Sequence, residues 1–266
     1  MRAVRKHTDC KWILLYVERW LKAPAQLENG SQVNRDKGTP QGSVISPLLA
    51  NLFLHYAFDE WMRRNHPHIP FERYADDIIV HCKNERQAEW TKRVIEKRLL
   101  ECKLELHPDK TQIVYCKDDY RRGNYVNEKF DFLGYTFRPR GAKARYKKSF
   151  FVGFNPALSN KAAKAMGDIL RSWEIHLMSD KSIEDISRII NPVVQGWINY
   201  YSSYYRSPFY PIINQLNNAL RKWAMRKYKR LRGKRRRAVH WLGRIAKRQS
   251  HLFAHWSLGV RPAAGR

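Results

Sequence analysis

Tyr74-Ala75-Asp76-Asp77 places two adjacent carboxylates between the short segments Phe71-Glu72-Arg73-Tyr74 and Ile78-Ile79-Val80. The flanks read as the arms of a tight hairpin, and Asp suits a turn between apolar runs. Taken alone, such a pair is a solvated acidic turn. Neighbouring carboxylates also repel, and a divalent cation is the usual means of keeping both ionised in a packed site. A second candidate is the polar loop Lys37-Gly38-Thr39-Pro40-Gln41-Gly42-Ser43, just ahead of a predicted helix. There Gly42 lets the backbone approach a base or phosphate, and Gln41 can hydrogen-bond a base edge or sugar. Lys110 follows Pro108 and offers a cation to a triphosphate or a nucleic-acid backbone. A solvated lysine at a strand edge has the same signature.

Charge narrows the class of partner. The chain of 266 residues carries a formal net charge of +27, which implies a polyanion or an anionic surface. Residues 1–137 hold 23 Lys+Arg against 19 Asp+Glu, whereas residues 138–266 hold 28 against 5, and no acidic residue follows Asp185. The basic half is also rich in Trp and Tyr, a mixture suited to nucleic acid because bases stack on rings while phosphates meet cations. Cys10, Cys82, Cys102 and Cys116 form no C-x-x-C pair, so they read as scattered small residues in a reducing compartment, not as a zinc site or disulfide framework. No stretch is long and apolar enough to cross a membrane, and no signal peptide is visible.

The elements that must position these groups follow from periodicity. Trp12–Leu21 predicts a helix ended by Ala23-Pro24, and Asn29-Gly30 a hairpin turn. Ser46 is expected as a cap and Pro47 in the first turn of a helix whose stripe is Leu48, Leu49, Leu52, Phe53, Tyr56, Ala57 and Trp61. A charged helix from about Glu85 to Cys102, then strands at Gln112–Cys116, Phe130–Phe137 and Ser149–Phe154, predict an α+β sheet domain covered by helices on one face. From about Ser159 the pattern turns helical. Ala162–Met178 is one helix, Pro192 interrupts or kinks the next, Ile212–Leu231 is long and basic, and Arg236–Gln249 precedes a frayed tail at Arg261–Arg266. The domain boundary is expected near residues 138–158, giving domains 1–150 and 151–266.

Several motifs, in order, resemble one family. Gly38-Thr39-Pro40-Gln41-Gly42-Ser43-Val44-Ile45-Ser46-Pro47-Leu48-Leu49-Ala50-Asn51 resembles the fourth conserved block of group II intron reverse transcriptase/maturases. Tyr74-Ala75-Asp76-Asp77 is similar to their fifth, Leu106-His107-Pro108-Asp109-Lys110-Thr111 to the sixth, and Phe130-Asp131-Phe132-Leu133-Gly134-Tyr135-Thr136-Phe137 to the seventh. The aromatic tract Gly196-Trp197-Ile198-Asn199-Tyr200-Tyr201 resembles the maturase, or thumb, region. The resemblance implies an α+β partial polymerase palm, an antiparallel sheet covered by helices, followed by an all-helical thumb/maturase domain. It implies RNA-directed DNA polymerisation and intron splicing in a bacterial cytoplasmic setting, with Mg²⁺ as cofactor. Its partners would be structured intron RNA, an RNA template with a DNA primer, and deoxynucleoside triphosphates.

Roles then carry over residue by residue. Asp76 and, less directly, Asp77 become metal ligands and catalytic carboxylates. Pro40, Gln41, Gly42 and Lys110 lie by the template base and incoming nucleotide, and Phe132, Leu133 and Gly134 grip the primer end. Trp197, Tyr201, Arg226, Lys227, Lys229, Arg230, Lys234, Arg235, Arg236 and Arg237 are expected to hold RNA, although the majority of rings spaced by three and four are core. The family uses a third carboxylate on a strand ahead of the fourth block, in a segment of roughly F-D-x-I-D-H. Asp9 and Asp36, the only aspartates before Asp59, sit in no apolar strand and are poor substitutes. The expectation is a palm-and-thumb portion that does not polymerise alone, whose helical half still grips RNA. An upstream fragment of the same protein is an expected partner that would supply the missing strand.

Overall fold

The computed structural model describes residues 1–26, 29–34, 38, 42–143 and 149–265. A mixed α/β N-terminal region with small sheets precedes a helix-rich C-terminal region. By contact the chain divides into compact units Met1–Ile113 and Val114–Arg266.

In the first unit, α1 (Lys11–Lys22) leads into the short antiparallel pair β1 (Ala25–Gln26) and β2 (Gln32–Val33). Next, α2 (Ser46–Leu54) continues through a π-helical turn, His55–Asp59, into α3 (Glu60–Asn65). Ser46 is the first helical residue and Ile45 the N-cap, so the expected Ser cap is displaced by one position while Pro47 keeps its place in the first turn. The predicted apolar stripe holds in part: Ala57 is buried and Trp61 packs on the core, while Leu48 and Phe53 are exposed. An inserted residue rotates the downstream face by about 100°, and Phe58 and Met62, outside the predicted stripe, are buried. The hairpin β3 (Phe71–Tyr74) and β4 (Asp77–Val80) and the helix α4 (Glu85–Glu101) close the core. Phe58, Met62, Ile69, Ile95 and Leu99 are its buried centre, with Phe71, Ile78 and Val80 packed on it. Asn84 caps α4, its side chain accepting from the Gln87 N–H at 2.9 Å.

The second unit opens with an irregular segment. Gln112–Cys116, expected as a strand, joins no sheet among the described residues, though Tyr115 N–H donates to Asn127 O at 2.8 Å. The sheet that does form is antiparallel, ordered β5 (Phe130–Phe132), β6 (Tyr135–Lys143), β7 (Phe150–Leu158). The expected single strand Phe130–Phe137 is therefore a hairpin, reversed at Leu133-Gly134. Helices α5 (Asn160–Ser172), α6 (Ile183–Tyr201), α7 (Phe209–Lys227), α8 (Arg235–Arg248) and α9 (Ala254–Ser257) follow. A capping box between Ser182 and Asp185 starts α6, and the helix runs unbroken through Pro192. Ile186, Ile190, Val194, Ile213, Leu216, Leu220, Trp223, Leu242, Phe253 and Trp256 make the core of this bundle.

The expected frayed tail is instead tied down. Val260 O accepts from Asn217 Nδ2 at 3.1 Å, and Arg261 Nε donates to Trp256 O at 2.8 Å. Beyond them the backbone of Ala263 lies so close to Gly243 that a Cβ there would fall 2.3 Å from its carbonyl oxygen. Asn217 Nδ2 divides its donors between Val260 O and Asn214 Oδ1, the latter at 3.0 Å. The buried Asn217 Oδ1 accepts from Trp256 Nε1 and meets His255 Nε2, both at 2.9 Å.

His255 is fully buried, and its Nδ1 has no hydrogen-bond partner among the described residues. Burial pushes its pKa down to about 3. The unfolded chain therefore binds a proton that the folded chain excludes. This contribution is complete above the unfolded pKa of 6.5 and is lost as pH falls from there towards 3. We expect unfolding free energy to drop by about 2 kcal/mol from this group between about pH 7 and 5. Urea titrations at the two pH values should show a smaller drop in His255→Gln, and an equal drop would remove the histidine from the pH response.

Candidate functional site

The hairpin β3–β4 pairs Phe71 with Val80, Arg73 with Ile78, and Tyr74 with Asp77. Strand alternation sends Phe71 and Arg73 inwards and leaves Glu72 and Tyr74 outside. A charged residue on the core face needs a partner, and Arg73 has three. Its Nε donates to Asp59 Oδ1 at 2.7 Å and its Nη2 to Asp59 Oδ2 at 2.6 Å, a bidentate pair with both side chains about nine-tenths covered. Its Nη1 donates to Asn51 Oδ1 and to the carbonyl oxygen of Ala75, both at 2.9 Å. Asn51 is oriented in turn by donating its Nδ2 to Pro47 O at 3.0 Å. Burial opposes the Asp59 charge, but Arg73, with a smaller contribution from His55, outweighs it and holds the carboxyl below its usual range. The Asp59 hydrogen bond raises Arg73 correspondingly.

This network clamps the turn that carries the two carboxylates. Ala75 has φ of +53°, in the left-handed region that costs an L-residue about 1–2 kcal/mol. Arg73 holds that strained peptide by its carbonyl oxygen. Asp76 follows in the turn, Asp77 begins β4, and both are exposed. No group of three or more His, Cys, Asp or Glu side chains suited to a metal gathers there or elsewhere among the described residues. Two carboxylates on one turn supply part of a ligand set, and the residues present do not fit a two-metal pair. Gly42 and Lys110 are exposed in the same unit, and Pro40 and Gln41 lie outside the described residues.

The second unit holds the other expected site residues. Leu133 and Gly134 are the two central residues of the β5–β6 turn, with φ of +49° and +78°. Tyr200 Oη donates to Leu133 O at 2.8 Å, and Tyr135 Oη donates to Tyr200 O. Burial, then the neighbouring tyrosines, push the Tyr135 phenol up to about 12. A Cβ at Gly134 would lie 2.5 Å from Tyr201 Oη, so glycine is what allows the turn to dock there. Tyr201 is thus half-buried as a support for that turn, with Phe132 on the strand leading into it. Trp197 stacks on Trp173, ring centroids 5.8 Å apart, and packs against the bundle core. The Lys227 ammonium donates to Ser179 O at 3.1 Å and Lys181 O at 2.6 Å, so its charge is used within the protein. Arg226, Lys229, Arg230, Lys234, Arg235, Arg236 and Arg237 are exposed, and none forms an ion pair among the described residues.

Sequence reasoning missed Asp59, Arg73 and Asn51. The available signal was a charged residue at an inward position of the strand and an aspartate directly after the apolar pair Ala57-Phe58.

The family model for reverse transcriptase (RNA-dependent DNA polymerase) matches residues 2–137, and that for the group II intron maturase-specific domain matches residues 163–242. Protein YkfC of Escherichia coli (strain K12) is 28% identical over 173 residues, covering 51% of this chain and 41% of that protein. The chain thus spans about two fifths of the length of the curated relative it matches.

Breaking one side of the Arg73–Asp59 pair strands a covered charge. We expect Arg73→Met and Asp59→Leu each to lower stability by about 3–5 kcal/mol, and the double variant to recover most of that loss. Urea unfolding of the four proteins in a double-mutant cycle checks this. Additive losses would mean that the pair is not the clamp.

Proposed function

We propose, since the chain belongs to the reverse transcriptase (RNA-dependent DNA polymerase) family and carries a group II intron maturase-specific domain, that it is the palm-and-thumb part of an intron reverse transcriptase/maturase. In this reading residues 1–150 are a partial palm, an antiparallel arrangement covered by helices, and residues 151–266 are the thumb/maturase domain. Asp76 is a metal ligand and Asp77 a less direct one, held in place by the Arg73 clamp. Gly42, with the adjoining Pro40 and Gln41, and Lys110 face template and incoming nucleotide, and the pinned turn Phe132-Leu133-Gly134 faces the primer end. Mg²⁺ belongs to the complete enzyme, where it would neutralise charge on the reacting phosphates. A third carboxylate does not join Asp76 and Asp77 among the described residues. That observation carries the reading: this chain binds its nucleic acid without polymerising alone. A complementing polypeptide would bring the third carboxylate. Apolar surface awaits such a partner at Trp12, 69% exposed, and Leu48, 64% exposed.

The second reading is an RNA-binding splicing factor without polymerisation. The exposed run Lys229–Arg237 favours it, since cations without carboxylates nearby are free to meet phosphates. No helix among the described residues is long and apolar enough to cross a membrane.

Purified chain with Mg²⁺, deoxynucleoside triphosphates and a primer annealed to an RNA template should show no extension above the Asp76→Ala background. Extension that Asp76→Ala abolishes would falsify the incomplete-site reading. Filter binding of structured intron RNA should fall steeply with salt, by a log–log slope of about 0.7–0.9 per phosphate engaged. Replacing Lys234, Arg235, Arg236 and Arg237 together by Gln should flatten that slope by several units. Salt-independent binding would rule out a phosphate-dominated grip.

A further inference from the structure

The ribbon β6–β7 has two unlike faces. Residues paired directly across it share a face, and so do alternate residues along each strand. One face holds Phe137 and Phe154, and there Phe130 stacks on Phe137 with ring centroids 4.9 Å apart and meets Phe154 at 6.0 Å. Most rings of that face pack on one another, with Phe150 at its far end opposite Lys143. The other face carries Arg138, Arg140 and Ala142 from β6, opposite Asn155, Gly153 and Phe151 from β7.

On this second face the side chains form one continuous shelf. A Cβ at Gly153 would lie 3.4 Å from Phe151 Cε2 and 2.7 Å from Asn155 Nδ2, so ring and amide both lean over the glycine. Arg140 Nε donates to Asn155 O at 3.2 Å and its Nη2 to Thr136 O at 3.3 Å. Its guanidinium lies over the ring of Tyr205, 5.5 Å from the centroid, and Tyr205 is bridged to Ala157 of β7. Phe151 and Tyr205, 43% and 39% exposed, are thus the ends of a surface that follows β7 for about 20 Å. Its charge is almost all of one sign. The one acidic residue in the three strands, Asp131, accepts from the Thr136 hydroxyl at the end remote from Phe151, and the next in sequence is Asp168. Arg138 is exposed and forms no ion pair among the described residues.

The edge of β7 is closed to another strand. Val152 bonds Asp119 through both backbone groups, its N–H donating to Oδ2 at 3.0 Å and its carbonyl oxygen accepting from the Asp119 N–H at 3.2 Å. The Tyr205 bridge occupies the edge at Ala157, and Pro156 has no N–H to offer. What stays open is a face of rings, guanidinium groups and an amide. Unpaired bases suit it, because they stack on rings and planar cations while their phosphates meet arginine. A duplex keeps its base faces stacked inside and cannot use such a surface.

We propose that the β6–β7 face from Phe151 to Tyr205 is a stacking surface for an unpaired stretch of the bound RNA. Phe151 and the Arg140–Tyr205 pair carry bases, and Arg138, placed between them, meets phosphate. The surface rests on the RNA-binding reading above and adds base stacking to it, whereas the run Lys229–Arg237 offers charge alone.

The test uses the full chain and two labelled RNAs of equal length, one unpaired and one fully duplex, in fluorescence anisotropy. Phe151→Leu keeps an apolar side chain and removes the flat ring. It should bind the unpaired RNA about tenfold more weakly and the duplex as the parent does. Phe151→Trp should keep the parent affinity, as should Phe150→Leu on the opposite face. Arg138→Gln should lower the log–log salt slope for the unpaired RNA by about 0.7. If Phe151→Leu fails to fold, Tyr205→Leu serves with the same loss expected, set against Tyr205→Phe, which should bind as the parent. Equal affinity of parent and Phe151→Leu for the unpaired RNA overturns the surface, and so does an equal loss on the duplex. A loss confined to single-stranded DNA of the same sequence overturns the assignment to RNA. A parent chain that sediments as a dimer and is made monomeric by Phe151→Leu makes the face a contact between copies and overturns it likewise. Binding of neither RNA by the parent overturns the RNA-binding reading itself. Binding of both, with no ring variant weaker on the unpaired RNA, leaves that reading and removes the surface.

Discussion

The covered pair between Arg73 and Asp59 is the constraint on which the acidic turn depends. Burying both charges is expensive, and such pairs stabilise a fold no better than apolar groups of equal volume. What this one supplies is position. Its guanidinium joins the π-helical turn at Asp59, the helix α2 at Asn51 and the strained carbonyl of Ala75. The π turn serves the same end, because it brings Asp59 to the core face directly after Phe58. The helix α2 at Asn51 and the turn Tyr74–Asp77, separate in sequence, are thereby joined within the first unit.

The helical region solves a different electrostatic problem. With 28 basic residues against 5 acidic beyond residue 137, it cannot neutralise itself by ion pairs. Some cations are absorbed by neutral groups: Lys227 by two carbonyl oxygens, and Arg140 by the ring of Tyr205, 5.5 Å from its centroid. Others stay in solvent. Arg221 is covered on α7, and its Nε has no hydrogen-bond partner among the described residues. The tyrosines divide in the same way. Tyr135, Tyr200 and Tyr201 lock the turn at Leu133-Gly134, so their rings serve shape before they serve any ligand.

Much of this was legible in the sequence. The hairpin at Tyr74–Asp77 followed from turn chemistry between apolar segments, α4 from the charged run at Glu85–Cys102, and the family from four ordered motifs. The losses share a cause, which is that local pattern does not report a tertiary partner. Periodicity assumes an uninterrupted helix, so it missed Phe58 and Met62, which lie in and just after the π turn at His55–Asp59 and are buried in the core. Gln112–Cys116 has the β-branched and aromatic composition of a strand but joins no sheet among the described residues. The tail after Gly259 has a loop composition, and only the buried network of Asn217 and His255 reveals that it is held. Lys227 and Tyr201 looked like ligands for RNA because their partners, a carbonyl pair and a glycine turn, carry no sequence signature.

The role proposed for the clamped turn is to offer Asp76 and Asp77 to a metal, without a metal pair in this chain alone. Manganese titration of the purified chain, followed by electron paramagnetic resonance, tests it directly. Only weak, uncoupled Mn²⁺ binding is predicted, with a modest further loss in Asp76→Ala. Tight binding of two spin-coupled ions that Asp76→Ala abolishes would contradict it.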